Sequence, residues 1–105
     1  MSEDEKLLML AAKAEGREPP IDANGVFGAW VGSAESGHWW NPLEDDGDAL
    51  RLALKLGICI VFMEEHDSVG AEHSKHGVMI IEAMYDFGVR RAIVRAAAEL
   101  AKATA

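Results

Sequence analysis

The sequence predicts an α+β domain spanning residues 1–105, in the order α-β-β-α-β-β-α. A mainly antiparallel four-stranded sheet would be layered with helices in an α/β/α sandwich-like arrangement. Three observations carry that expectation. Capped apolar stripes at helical spacing lie near residues 2–16 and 45–57, the C-terminal segment is alanine-rich, and apolar, β-branched runs occupy 58–63 and 78–84.

The first helix opens at Ser2-Glu3-Asp4-Glu5, an S-x-x-E capping box in which the serine hydroxyl and the glutamate carboxylate each satisfy a free backbone N–H. Leu7, Leu10, Ala11 and Ala14 form its apolar stripe, with Leu8 beside it. Gly16 supplies the stop, and Pro19-Pro20 prevent continuation. A strand is expected over 25–31, turn chemistry over 32–37, and a short return strand at His38-Trp39-Trp40. Pro42 turns the chain by keeping Asn41 out of the helical region. Asp45 then caps the second helix, with Asp48 at its third position, and Glu44, Asp45, Asp46 and Asp48 crowd the positive end of the helix dipole. Ala49, Leu52, Ala53 and Leu56 mark its buried face, which Leu50 and Leu54 widen, and Gly57 closes it.

The run 58–63 reads as a well-covered strand. Residues 64–77 are polar and aperiodic and read as a long exposed loop. The run 78–84 reads as a fourth strand or as the beginning of the last helix, with a break at Asp86-Phe87-Gly88. The last helix runs to about Lys102, burying Val89, Ile93, Ala96, Ala97 and Leu100 and turning Arg90, Arg91 and Arg95 outward.

Half of the residues are hydrophobic and 27% charged, an ordinary globular composition. No apolar run approaches the roughly 20 residues of a membrane span, and the acidic residues 1–5 are unlike the basic start of a signal peptide. The single cysteine, Cys59, lies in an apolar run and reads as a buried, inert thiol. The expectation is a cytoplasmic protein with no membrane partner. Net charge is −8, and all of the excess sits in residues 1–48, which hold eleven acids against three bases; residues 49–105 hold seven of each. Such a surface repels phosphate backbones, so direct nucleic-acid binding is not expected, whereas a basic protein surface would suit it; solubility alone also accounts for it.

Two groups of residues are candidate sites. Trp39 and Trp40, adjacent in a strand, point to opposite faces, and a tryptophan left exposed beside Glu44, Asp45, Asp46 and Asp48 would anchor a protein partner. As a metal loop the same acids fail, because leucines occupy the positions where a calcium loop continues its ligands. The alternative site is the loop 64–77, where His66, Asp67, His73 and His76 offer ligands for zinc, although no zinc motif is matched. No other cofactor is expected. Arg90, Arg91 and Arg95 could hold an anion or pair with the acids of 44–48, in the same chain or in a second copy. Ser33, Ser36, Ser68 and Ser74 lie in loop-like segments without a triad signature, so the enzyme question stays open and a non-enzymatic role is preferred.

The segments WNPLEDDGDALRLALKLG and RRAIVRAAAEL resemble those of short phage and prophage proteins carrying the phage ABA-sandwich domain. The likeness is close over 40–57 and 90–100, loose over 7–16, and has no counterpart over 64–77. It implies a helix–sheet–helix layered fold and a mobile-element origin, and it brings no catalytic residue to this chain. The expected function is therefore that of a non-enzymatic phage or prophage accessory protein. It would act by protein–protein contact on a host or phage protein with a basic surface, as an inhibitor of a host defence or nucleic-acid-handling protein. The alternative is a small metal-binding protein or metal-dependent enzyme. Self-pairing is also expected if 78–84 forms a sheet edge, since only Glu82 would guard it, and the result would be a homodimer.

Overall fold

The computed structural model describes residues 2–18, 20–21 and 28–103. Three helices, α1 (Glu3–Glu15), α2 (Asp46–Leu56) and α3 (Asp86–Ala103), accompany two antiparallel sheets, so the α+β class is as the sequence indicates. One sheet pairs β1 (Trp30–Val31) with β2 (His38–Trp39). The other has the order β3-β4-β5, from Cys59–Met63, Ser68–His73 and Val78–Ala83. Among the described residues the strands therefore do not form a single four-stranded sheet. The register explains the count: β4 lies between β3 and β5, with Ile60 opposite Ala71 and Ala71 opposite Ile80, inside the stretch expected to be a loop. The polar segments on either side of β4 are single 3-10 turns, Glu64–His66 and Ser74–His76, closed by left-handed Asp67 and Gly77. The 78–84 run settles as strand β5 at a sheet edge. Only Trp30 and Val31 of the expected 25–31 strand are described as strand, and 25–27 lie outside the described residues.

Both early caps form as expected. Ser2 Oγ accepts from Glu5 N–H at 3.1 Å while Glu5 Oε1 accepts from Ser2 N–H at 3.0 Å, and Gly16 ends α1 in the left-handed region. The helix α3 is the hub of the core: it packs on α1, α2, β4 and β5. Its alanines permit that, because Ala92, Ala96, Ala97, Ala98 and Ala101 are all buried and bring four neighbours close to one backbone. Asp86-Phe87-Gly88 is not a break but the first turn of α3, with Gly88 lying directly against the Ala83 carbonyl where a Cβ would overlap it.

Side chains alternate across the three-stranded sheet. On one side Val69, Ala71 and Val78 are buried and Ile60 and Ile80 half-buried beneath the helices; on the other Cys59, Val61, Met79, Ile81 and Ala83 are exposed. Among the described residues the helices thus cover one side only, a point that the sequence pattern leaves open. Cys59 is exposed rather than buried for the same reason. On α2, Leu50 and Leu54 do not widen the buried face; they are 53% and 73% exposed because Ala49, Leu52 and Ala53 already fill the contact with α1 and α3. No helix is long and apolar enough to cross a membrane among the described residues.

Candidate functional site

The start of α2 is a hydrogen-bonded junction built on one buried carboxylate. Asp45 Oδ2 accepts from Asp48 N–H at 2.8 Å, the expected cap. Asn41 Oδ1 accepts from Leu43 N–H, and the Asn41 carbonyl accepts from Glu44 and Asp45 N–H, so the Pro42 turn is closed on itself. Asp48 faces inward, 1% exposed, where Asn41 N–H (2.9 Å), Arg51 Nη2 (2.7 Å) and His38 Nε2 (2.9 Å) all reach it. Burial pushes its carboxyl up, but the bonds from Asn41, Arg51 and His38 outweigh that, and Asp48 titrates below the ordinary carboxylate value. Asp48 is a structural acid, not part of an acidic surface.

This junction fixes β2, which it grips through His38. The side chains of His38 and Trp40 share one side of the strand, and Trp40 is buried with the Arg17 guanidinium 5.1 Å above its ring centre. Trp39 takes the opposite side and is 65% exposed. It meets Trp30 of β1 edge-to-face, ring centres 5.2 Å apart and planes at 86°. The turn between them is stapled. Trp30 Nε1–H donates to the Ser33 carbonyl at 2.9 Å, Ser33 and Ser36 hydroxyls share a bond of 2.8 Å, and Gly37 sits so close to the Trp30 indole and the Val31 carbonyl that no Cβ fits. The two exposed indoles are therefore held in place before any partner arrives.

Of the expected contact residues, Trp39 is exposed and Trp40 is core. Glu44 is exposed, Asp45 is a cap, Asp46 is exposed but paired with Arg90 Nη1 at 2.6 Å, and Asp48 is buried. Asp45, Asp46 and Asp48 thus all make bonds within the chain, although Glu44, Asp45 and Asp46 stay exposed. Arg91 pairs with Asp4 at 2.9 Å, and Arg95 with Glu82, so the arginines serve the chain's own acids. Neither Trp30 nor His38 is among the contact residues expected from the sequence. Trp30 gains its role only by strand pairing with Trp39, and His38 by lying across from Asp48, ten residues on.

The expected zinc ligands do not converge. His66 and Asp67 precede β4, while His73 ends it and His76 follows, so the five strand residues 68–72 separate the two pairs, about 20 Å from Asp67 to His73 at the usual rise. His73 and His76 do meet, ring centres 4.9 Å apart, and His73 Nδ1 is buried without a hydrogen-bond partner. Two ligands fall short of the three or four that zinc takes from protein. His38, Asp45 and Asp48 are the one trio of ligand atoms within 4.8 Å of one another among the described residues, and there Arg51 already supplies the positive charge. Comparison with protein-family models, curated proteins and solved structures found no match.

Proposed function

We propose that this chain is a non-enzymatic accessory protein that acts by protein–protein contact, with the Trp30–Trp39 pair as its anchor. The single observation that carries the reading is that both indoles stand in the open while their strands are locked to α2 through buried Asp48. Large aromatic side chains held rigid contribute contact area with little further loss of freedom, which is why tryptophan dominates interface hot spots. The acidic surface gives way to this aromatic anchor as the main support, since Asp45, Asp46 and Asp48 are engaged within the chain. Net charge still favours a partner with a basic surface over nucleic acid itself. With the phage-protein resemblance, the proposed setting is the bacterial cytoplasm and the proposed partner a host defence or nucleic-acid-handling protein.

The test is affinity capture from bacterial lysate with the wild-type chain and a Trp30→Ser/Trp39→Ser variant of matched thermal stability. A partner captured by the first and lost by the second is expected; an identical captured set from both overturns the reading. Self-pairing along β5 is part of the same proposal. Sedimentation at micromolar concentration should show a species heavier than the 11.4 kDa chain, and a single species at that mass refutes it.

A further inference from the structure

A groove of about 660 Å³ opens where α2 and the first turns of α3 diverge over β3. It exists because α3 lies over β4 and β5, while α2 turns its buried stripe to α1 and α3, so the helix-facing side of edge strand β3 is left open. Ile60 and Ile93 form the floor, Leu50 one wall, and Tyr85 and Val89 the other. Phe62, two residues beyond Ile60 on the same side of the strand, lines a neighbouring hollow and is 60% exposed.

The rim is acidic. Asp46 and Asp86 line the groove, and the Glu64–His66 turn, which carries Glu64 and Glu65 round a second hollow beside Phe62, is tied to the groove where Met84 N–H donates to the Asp67 carbonyl at 2.9 Å. The guanidinium within it, Arg90, is already engaged, donating from Nη1 to Asp46 and from Nε to the Leu43 carbonyl at 2.9 Å. Asp86, Glu64 and Glu65 take part in no ion pair among the described residues.

We propose that this groove receives a basic amphipathic helix of a partner protein. Its apolar face would lie on Leu50, Ile60, Phe62 and Tyr85, and its lysines or arginines against Asp86, Glu64 and Glu65. An apolar trough between two helices is the surface that amphipathic helices occupy, and the unpaired rim carboxylates select the sign of the flanking charge. A second copy of this chain is a poor occupant, because it brings a net charge of −8 to an acidic rim and its clustered arginines are paired internally. The proposal rests on the protein-contact reading but uses a surface separate from the tryptophan pair, so the two fail independently.

The test titrates the full chain with a synthetic helix bearing leucines on one face and lysines on the other, followed by amide NMR. Controls replace the lysines by glutamates or scramble the order. The lysine peptide should shift amides at Leu50, Ile60, Phe62, Tyr85 and Val89, more weakly as salt is raised. Leu50→Lys, at an exposed position, should weaken binding by about tenfold or more, and Glu65→Lys by severalfold, while Trp30→Ser/Trp39→Ser binds as wild type does. Absence of saturable shifts at the groove, equal binding of the glutamate or scrambled peptide, or indifference to Leu50→Lys overturns the proposal. Groove shifts produced by raising protein concentration alone would assign the surface to a second copy and overturn it equally.

Discussion

The two sides of the β3-β4-β5 sheet are alike in composition and opposite in circumstance. Ile60, Ala71 and Ile80 form one cross-strand row and lie under the helices; Val61, Gly70 and Ile81 form the next and face outward. Polar residues on the outward side would be the ordinary solution for a sheet covered once. Here Ser68 and Glu72 lie on that side, but Cys59, Val61, Met79 and Ile81 stand exposed beside them. A near-continuous apolar strand thus reports that apolar surface exists on both faces, and not that both are covered within one chain. Exposed apolar surface of this kind marks a contact site or an aggregation liability, and it suits the proposed binding role.

The sharpest way to break that comparison is to place the same charge on each side. Val69→Asp, at a position 0% exposed, should cost about 4 kcal/mol or more by burying an unpaired carboxylate, whereas Ile81→Asp, 56% exposed, should change denaturant stability by less than about 1 kcal/mol. Equal losses would mean that the outward side is covered after all. Next in size, Gly88→Ala should cost about 3 kcal/mol, because its Cβ would run into the Ala83 carbonyl where α3 closes on β5.

Asp48→Ala extends the comparison to the tryptophan hairpin, which is held by polar bonds where the sheet is held by burial. A loss of about 2 kcal/mol is expected from stranding the Asn41 N–H and removing the bonds from Arg51 and His38, with exchange broadening of the Trp30 and Trp39 indole NMR signals before global unfolding. The pH dependence follows from the lowered titration of Asp48: as pH falls the unfolded chain takes the proton first, so this stabilisation is whole above the ordinary aspartate value of about 3.9 and is lost as pH drops through the lower folded value. Stability that rises on acidification through that window would contradict the assignment. Smallest of all, Gly70→Ala should raise stability by about 0.5 kcal/mol by restricting the unfolded chain. Its Cβ would meet Met79 Sδ at 3.4 Å, Met63 Cε at 3.5 Å and the Ile80 carbonyl at 3.8 Å, all ordinary contacts.

What the sequence made legible is what short-range chemistry decides. The Ser2–Glu5 box, the Asp45 cap and the Gly57 stop each involve atoms within a few residues, and all three formed. The strand Ser68–His73 was hidden because Ser-Val-Gly-Ala-Glu-His carries no alternation of its own. It is a strand because β3 and β5 flank it and pair with it along its length. Leu50 and Leu54 were misread because helical spacing gives a stripe but not how many neighbours arrive to cover it. In the candidate site, the opposition of Trp39 to Trp40 followed from strand geometry alone, while His38, Trp30 and the burial of Asp48 depended on contacts that only the folded chain brings together.

The openness of the outward sheet face is tested most directly by the one thiol in the chain, since Cys59 lies on that side of β3 and is exposed. Native protein, mixed at low micromolar concentration with an aromatic disulfide reagent, should release one chromophore per chain at a rate comparable to that of the denatured chain. A thiol that stays silent in the native protein and reacts only on unfolding would show the face to be covered and would contradict the account.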